Sequence, residues 1–294
     1  MDNENKPELI MLMGIPASGK STWSNNYVNS HDNCIVISSD EYRKKLFGDV
    51  NEQSRNNELF RIVHNDIKSA LKSNQSVIYD ATNINAKRRM SFLSEISNID
   101  CIKRIVIFNL PYEECLRRNW MRERKVPDEV IRKMYMGWQT PWYFEGWDSI
   151  ELVHHLYHGG TYKISEDYSQ NNPHHKYPLL QHMELVHDLV TVNAPYNEDL
   201  AVAARLHDCG KPFCRVDDEN GISHYYSHEN VGAYDALAMY RASVLASAYI
   251  TYHMYPLYWK SSDNEQKLRK KYEDLWGTDF YAELMILHEA DVRC

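Results

Sequence analysis

The chain has 294 residues, 43% hydrophobic and 25% charged, with a formal net charge of -8. That length can bury more than one core, and the acidic balance excludes a protein that coats nucleic acid indiscriminately. The polar start (MDNENKPE) carries no apolar leader core, and the longest apolar run, LIMLMGI, is too short for a bilayer. Cysteines 34, 101, 115, 209, 214 and 294 form no Cys-x-x-Cys pair, so the expectation is a soluble cytoplasmic protein with reduced thiols and no thiolate zinc site.

Taken in chain order, short apolar runs alternate with helical stretches over the first half: ELIMLM, CIVISS, SVIYDA, CIKRIVIFNL and DSIELVHHLY are the strand candidates. This is the pattern of an α/β parallel sheet with flanking crossover helices. The stretch from His158 to Lys176, with its Gly-Gly and Asn-Asn-Pro, marks a boundary. Only helical segments are expected after it, near 178–193, 198–209, 226–240, 243–254, 265–275 and 279–291. The predicted organisation is an α/β domain over 1–158, a linker over 159–173 and an all-α domain over 174–294. Charge supports two chemistries: residues 1–150 balance at +1 and 151–294 at -9, and 12 of the 14 histidines follow residue 150. An acidic, histidine-rich half suits divalent metals, and a balanced half with basic clusters suits polyanions.

GIPASGKST fits G-x-x-x-x-G-K-[ST] between a strand and a helix start. Its residues Gly14, Ile15, Pro16, Ala17, Ser18, Gly19, Lys20, Ser21 and Thr22 would wrap backbone N–H groups around phosphate. Lys20 would hold the β- and γ-phosphates of ATP and Ser21 a Mg²⁺ ion, with GTP or another nucleoside triphosphate as an alternative donor. After the second strand, Asp40 in SSDEYRKKL lies where such sheets bind ligands and is the best-placed carboxylate to take an acceptor's proton. Arg43, one helical turn on, could grip an acceptor phosphate; a plain N-cap with a solvated arginine is the competing reading. In CLRRNWMRERKVP, Arg118 and Arg122 are four apart and would share a helical face over the donor phosphates, with Arg117, Arg124 and Lys125 as a basic rim.

Over about Leu9 to Tyr135, GIPASGKSTW, ISSDEYRKKL, DATNINAKRR, RRNWMRERKVP and EVIRKMY occur in the order found in the kinase domain of the phage polynucleotide kinase-phosphatase family, which this half resembles. The resemblance implies a 5'-hydroxyl polynucleotide kinase. In it Asp40 is the general base, Arg43 contacts the acceptor's phosphate, and Arg118 and Arg122 engage the donor. One departure concerns the aspartate before Thr-Asn: Ala81 holds its position and Asp80 precedes it by one residue, which on a strand reverses the face. Asp80 and Asn83 are carried as substrate residues on that footing.

In the second half, ARLHDCGKPF holds adjacent His207 and Asp208, which can share a metal only at a distorted helix end; Gly210 and Pro212 supply it. His182, His228, His253 and Asp291 each fall on a separate predicted helix, so a bundle could gather them. The ordered set resembles the HD phosphohydrolase superfamily over about His174 to Asp291. That resemblance implies a first metal on His182, His207, Asp208 and Asp291 and a second on His228 and His253 with Asp208 bridging, Lys211 neutralising phosphate. Mixed nitrogen and oxygen donors suit Mn, Ni, Co, Fe or Zn. Lys211 capping the helix C-terminus is the quieter alternative. His174, His175, His187 and His288 read as support or structure.

Together these readings lead to a bifunctional end-healing enzyme. An ATP-dependent kinase would act on 5'-hydroxyl ends of RNA or DNA, and a metal-dependent phosphohydrolase would remove 2',3'-cyclic or 2'/3'-phosphate, with RNA preferred and a ligase as partner. The alternatives are a small-molecule or nucleotide kinase fused to a nucleotide phosphatase, and a non-catalytic nucleotide switch with a metal scaffold. No membrane partner is expected, and the sequence carries no signal for an oligomeric state.

Overall fold

The computed structural model describes residues 6–153, 164–260 and 262–294. They form two compact units, Met1–Ile131 with Glu145–Leu156 and Arg132–Phe144 with Tyr157–Cys294. In the first, β1 (Glu8–Met13), α1 (Lys20–Val28), β2 (Cys34–Ser38), α2 (Ser39–Phe47), α3 (Asn56–Lys72), β3 (Ser76–Asp80), α4 (Ala86–Glu95), β4 (Ile102–Phe108), α5 (Tyr112–Trp120), the start of α6 (Asp128–Met136) and β5 (Ser149–Val153) follow one another. All five predicted strands are present; the tail of the last, from residue 154, lies outside the described residues.

The strands form one parallel sheet in the order β2-β3-β1-β4-β5. Central β1 is apolar from Leu9 to Met13 because helices cover both sheet faces, and each of these residues is buried. Ile10, Leu12, Ile78, Val106 and Phe108 make one side of that core, with Trp23 and Tyr27 of α1 packed on it. In α3, Leu59, Val63, Ile67 and Leu71 recur every four residues and form its buried stripe. The register aligns the strand ends that matter for the site: Asp80 pairs with Leu12 of β1 on one side and Ser38 of β2 on the other. Since neighbouring strands are about 4.8 Å apart, the ends of β2, β3 and β1 span only about 10 Å.

The second unit is helical: α7 (Leu179–Asn193), α8 (Glu198–Leu206), α9 (Lys211–Cys214), α10 (His228–Ala238), α11 (Val244–Tyr252), α12 (Tyr255–Lys260), α13 (Glu265–Trp276) and α14 (Thr278–Arg293). The helix-only expectation is corrected by a two-stranded hairpin, β6 (Val216–Asp217) with β7 (Ser223–His224), closed where Asp218 Oδ1 accepts from the amides of Asn220 and Ile222. Residues 231–237 of α10 and 246–252 of α11 are buried without interruption, so these two helices run through the centre.

Residues 132–144, placed by the sequence reading in the first domain, pack within this unit instead. Trp138 is fully buried against Tyr234, Tyr135 Oη donates to Asp235 at 2.6 Å, and Thr140 Oγ1 lies 2.7 Å from Ser247 Oγ. The cause is local: this stretch carries aromatic groups and a hydroxyl that need buried partners, and α10 and α11 supply them.

Candidate functional site

The first site forms at the carboxyl edge of the parallel sheet. Between β1 and α1 the loop turns back so that the Gly14 amide donates to the Thr82 carbonyl at 3.0 Å. Gly19 then takes φ 103°, a left-handed conformation in which a side chain is strained, before α1 starts at Lys20. Lys20 Nζ donates to the carbonyls of Gly14 (2.8 Å) and Ile15 (3.0 Å), lying across the concave loop where phosphates would replace those acceptors. Burial lowers its pKa, with the Asp80 carboxylate acting against that shift. Ser21 Oγ donates to Asp80 Oδ2 at 2.8 Å, and burial raises the Asp80 pKa while Lys20 opposes it.

Asp80 therefore faces the phosphate loop, and the one-residue offset from the resembled family does not turn it away. As the last residue of β3, in register with Leu12, it points to the Ser21 hydroxyl. Asn83, expected as a substrate residue, donates through Nδ2 to the Leu12 carbonyl at 2.8 Å and so braces the end of β1.

Asp40 sits in the first turn of α2, after the Ser38 cap, and its side chain is 53% exposed. Arg43 Nη1 holds Oδ1 at 3.0 Å and Arg124 Nη1 holds Oδ2 at 2.7 Å. Arg43 is almost fully buried and also donates to Asn56 Oδ1 at 2.8 Å, which excludes the reading of a solvated arginine. Asp40 lies close enough to act electrostatically on both Lys20 and Asp80.

Arg118 and Arg122 do not share a helical face, because α5 ends at Trp120. Buried Asn119 accepts from the Val126 amide (2.9 Å) and donates to the Val126 carbonyl (2.8 Å), folding the chain back over residues 121–126. Arg118 pairs with Glu114 one turn earlier at 2.8 Å, as does Arg117 at 2.6 Å, and these two guanidinium groups hold Glu114 down at about 2. Arg122 is exposed beyond the helix, and its charge reaches Lys20 and Asp80. Asn119 carried no sequence signal, because a buried asparagine bridging a turn is defined only by its partner.

The second site lies inside the helical unit. His182 of α7, His207 after α8 and Asp291 of α14 bring ligand atoms together, as do Asp208, His228 of α10 and His253 after α11. His182 Nε2 stands 3.0 Å from Asp291 Oδ1 and 3.3 Å from His207 Nε2. Asp208 Oδ2 is 3.3 Å from His207 and 3.5 Å from His182, while Oδ1 is 3.1 Å from His228 and 3.9 Å from His253. Asp208 therefore turns one oxygen to each set.

The donors fit divalent cations. Atoms bound at about 2.0–2.2 Å to one cation stand about 2.9–3.5 Å apart, matching most of these separations. The Nδ1 atoms of His207, His228 and His253 lie 2.7–2.8 Å from the carbonyls of Ala204, Tyr225 and Ile250. Protons placed there leave the Nε2 lone pairs facing carboxylate lone pairs, a conflict that a proton or a metal resolves. His253 Nε2 is buried with no hydrogen-bond partner. Burial would depress His207, but Asp208 and Asp291 outweigh it and push its pKa up to about 10; burial, with His207 and His228, drives His253 down to about 3. Asp208 stays well below the usual carboxylate range, its burial overcome by Lys211 and His207.

Lys211 opens α9 and donates to Asp208 Oδ2 (2.6 Å) and Gln170 Oε1 (2.7 Å), so it is not the cap of α8. His175 Nε2 lies 3.1 Å from Lys211 Nζ, and burial together with that ammonium lowers its pKa to about 4. α8 does end before the His207–Asp208 pair, and Gly210 itself is right-handed with φ -78°. Its role is close approach: a Cβ would lie 2.6 Å from the Gly232 amide nitrogen and closer still to the His228 carbonyl oxygen. This contact seats the His207–Asp208 turn against α10. His187 lies near the surface beside Asp188 and Arg205, apart from the cluster.

Residues 9–141 match the protein family described as AAA domain. L-seryl-tRNA(Sec) kinase of Methanococcus maripaludis is 32% identical over 150 residues, covering 49% of this chain and 58% of that protein. Protein kti12 of Schizosaccharomyces pombe is 25% identical over 154 residues, covering 48% and 54%. The chain thus spans little more than half the length of these curated relatives. Among solved structures, a chain of the Pnkp1/Rnl/Hen1 RNA repair complex is 25% identical with a TM-score of 0.42, covering 46% of this chain and 45% of that one. The first unit has the α/β parallel-sheet fold of P-loop kinases, which implies nucleotide binding. Among the described residues no helix is long and apolar enough to cross a membrane.

Proposed function

We propose that this protein heals nucleic-acid ends with two activities, an ATP-dependent 5'-hydroxyl polynucleotide kinase in the first unit and a metal-dependent phosphohydrolase of HD type in the second. The observation that carries the kinase is Asp40, which lies just past the end of β2 on the edge that holds the phosphate loop, near Lys20 and Asp80. Lys20 would leave the loop carbonyls for the β- and γ-phosphates, and Ser21 with Asp80 would orient Mg²⁺. Asp40 then takes the acceptor's hydroxyl proton while Arg122 offsets charge on the transferring group. Arg43, fixed by Asn56, faces the acceptor side.

The metal reading rests on Asp208 addressing both histidine sets. Divalent cations held by His182, His207 and Asp291 and by His228 and His253, with Asp208 between them, would supply Lewis acidity toward phosphate oxygens and activate water. Lys211 holds Asp208 in place and adds positive charge beside the site. The logic for one chain is chemical: a break with a 5'-hydroxyl and a 2',3'-cyclic or 3'-phosphate needs both repairs before its ends can be joined.

A second reading follows from the 32% identity to L-seryl-tRNA(Sec) kinase: the acceptor hydroxyl is a seryl group carried on tRNA. The deciding experiment offers labelled ATP with three acceptors, 5'-hydroxyl RNA, free nucleosides and seryl-tRNA, to wild type and Lys20→Ala. Transfer to the RNA alone, lost in Lys20→Ala, supports the proposal; transfer only to one of the others replaces it. An RNA with a 2',3'-cyclic end and Mn²⁺ in the same reaction tests the second activity.

A further inference from the structure

We propose that Arg124 is a positioning residue for the kinase reaction: it holds the general base Asp40 in its working orientation and ties that orientation to the segment that carries the donor-facing Arg122. The inference rests on the kinase reading above. A single hydrogen bond does not fix an aspartate, because its terminal torsion is broad and roughly two-fold. Arg43, three residues along the same helix, engages only Oδ1. Arg124 comes from a different part of the chain and engages Oδ2 at 2.7 Å. Two cations on opposite oxygens define the carboxylate plane, which one alone leaves free to turn in a group that is 53% exposed. Each oxygen keeps a second lone pair for the acceptor hydroxyl.

Arg124 is itself held. Its Nη2 donates to the Val50 carbonyl at 3.4 Å, and its Nε is buried with no hydrogen-bond partner. Two residues on, Val126 is bonded through both its amide and its carbonyl to Asn119, and Lys125 lies over the Trp120 ring at 5.0 Å. Residues 121–126 therefore act as one folded-back turn in which Arg122 faces the nucleotide side and Arg124 faces the base.

The test is steady-state kinetics on Arg124→Ala, Arg124→Lys and Asp40→Asn in the full chain, with a 5'-hydroxyl oligonucleotide as acceptor. For Arg124→Ala the expected result is a kcat lower by about 10- to 100-fold, the loss typical of a misplaced reacting group, with the KM for ATP within about two-fold of wild type. Arg124→Lys restores part of kcat. Arg124→Ala adds little to Asp40→Asn, since both act through one carboxylate. A raised KM for ATP with kcat intact makes Arg124 a donor ligand and overturns the proposal, as does full additivity with Asp40→Asn. Equal loss of melting temperature and of both parameters, unrelieved by lysine, makes it structural and also overturns it. An inactive wild type refutes the kinase reading itself; an active one whose kcat survives Arg124→Ala refutes only this inference.

Discussion

Replacing Gly210 by alanine adds one methyl group at the point where the His207–Asp208 turn rests on α10. That methyl would stand 2.6 Å from the Gly232 amide nitrogen, where ordinary contact begins at 3.4 Å, so turn and helix must part by more than about 0.8 Å. The His228 carbonyl is closer still, and both obstructing atoms are backbone, so no side-chain rotation relieves the clash. The separation would stretch the 3.1 Å contact of His228 Nε2 with Asp208 Oδ1 to about 4 Å or beyond. Overpacking of this kind costs about 1–3 kcal/mol, which lowers the melting midpoint by about 2–12 °C at 2–4 °C per kcal/mol. Metal affinity at the His228–His253 set should fall about 10- to 100-fold, as it does when support around a ligand is lost. Gly232→Ala is the graded control, because its methyl meets the same surface at 3.3–3.5 Å and should cost less. Thermal melts with and without Mn²⁺, joined to elemental analysis, measure both effects. Equal midpoints and metal contents for Gly210→Ala and wild type, or a larger loss in Gly232→Ala, would refute the close-approach argument.

Three further substitutions probe other buried polar groups. Asp208→Ala removes the carboxylate shared by both histidine sets and should abolish metal retention, whereas His253→Ala should spare the set on His182, His207 and Asp291; equal loss in the two variants, by elemental analysis, would deny Asp208 its bridging place. In the first unit, Arg89 and Glu145 are paired with separations of 2.6 and 2.8 Å and are 1% and 0% exposed. Glu145→Ala takes the carboxylate from a buried cation, so urea denaturation should show a loss of about 3–5 kcal/mol; a loss under 1 kcal/mol would mean that the site rehydrates.

The sequence was enough for the phosphate loop and the five strands, because each is encoded by local spacing, whereas the residues of the histidine cluster were singled out by the resemblance to the HD superfamily. Gly14 and Gly19 lead into Lys20 and Ser21, apolar runs of strand length recur, and His-Asp stands beside a glycine and a proline. What it could not decide are choices among partners. Asp80 faces Ser21 because the register pairs it with Leu12; Arg118 turns to Glu114; Asn119 ends the expected helical face; Arg124 reaches a carboxylate 84 residues away. The segment 132–144 overlaps the end of the kinase-like stretch in sequence yet buries Trp138 and Tyr135 among α10 and its neighbours. Local spacing specifies backbone conformation and which way side chains alternate, whereas a buried ion pair or hydrogen bond depends on groups brought close only when the chain has folded, so the tertiary structure alone assigned those roles.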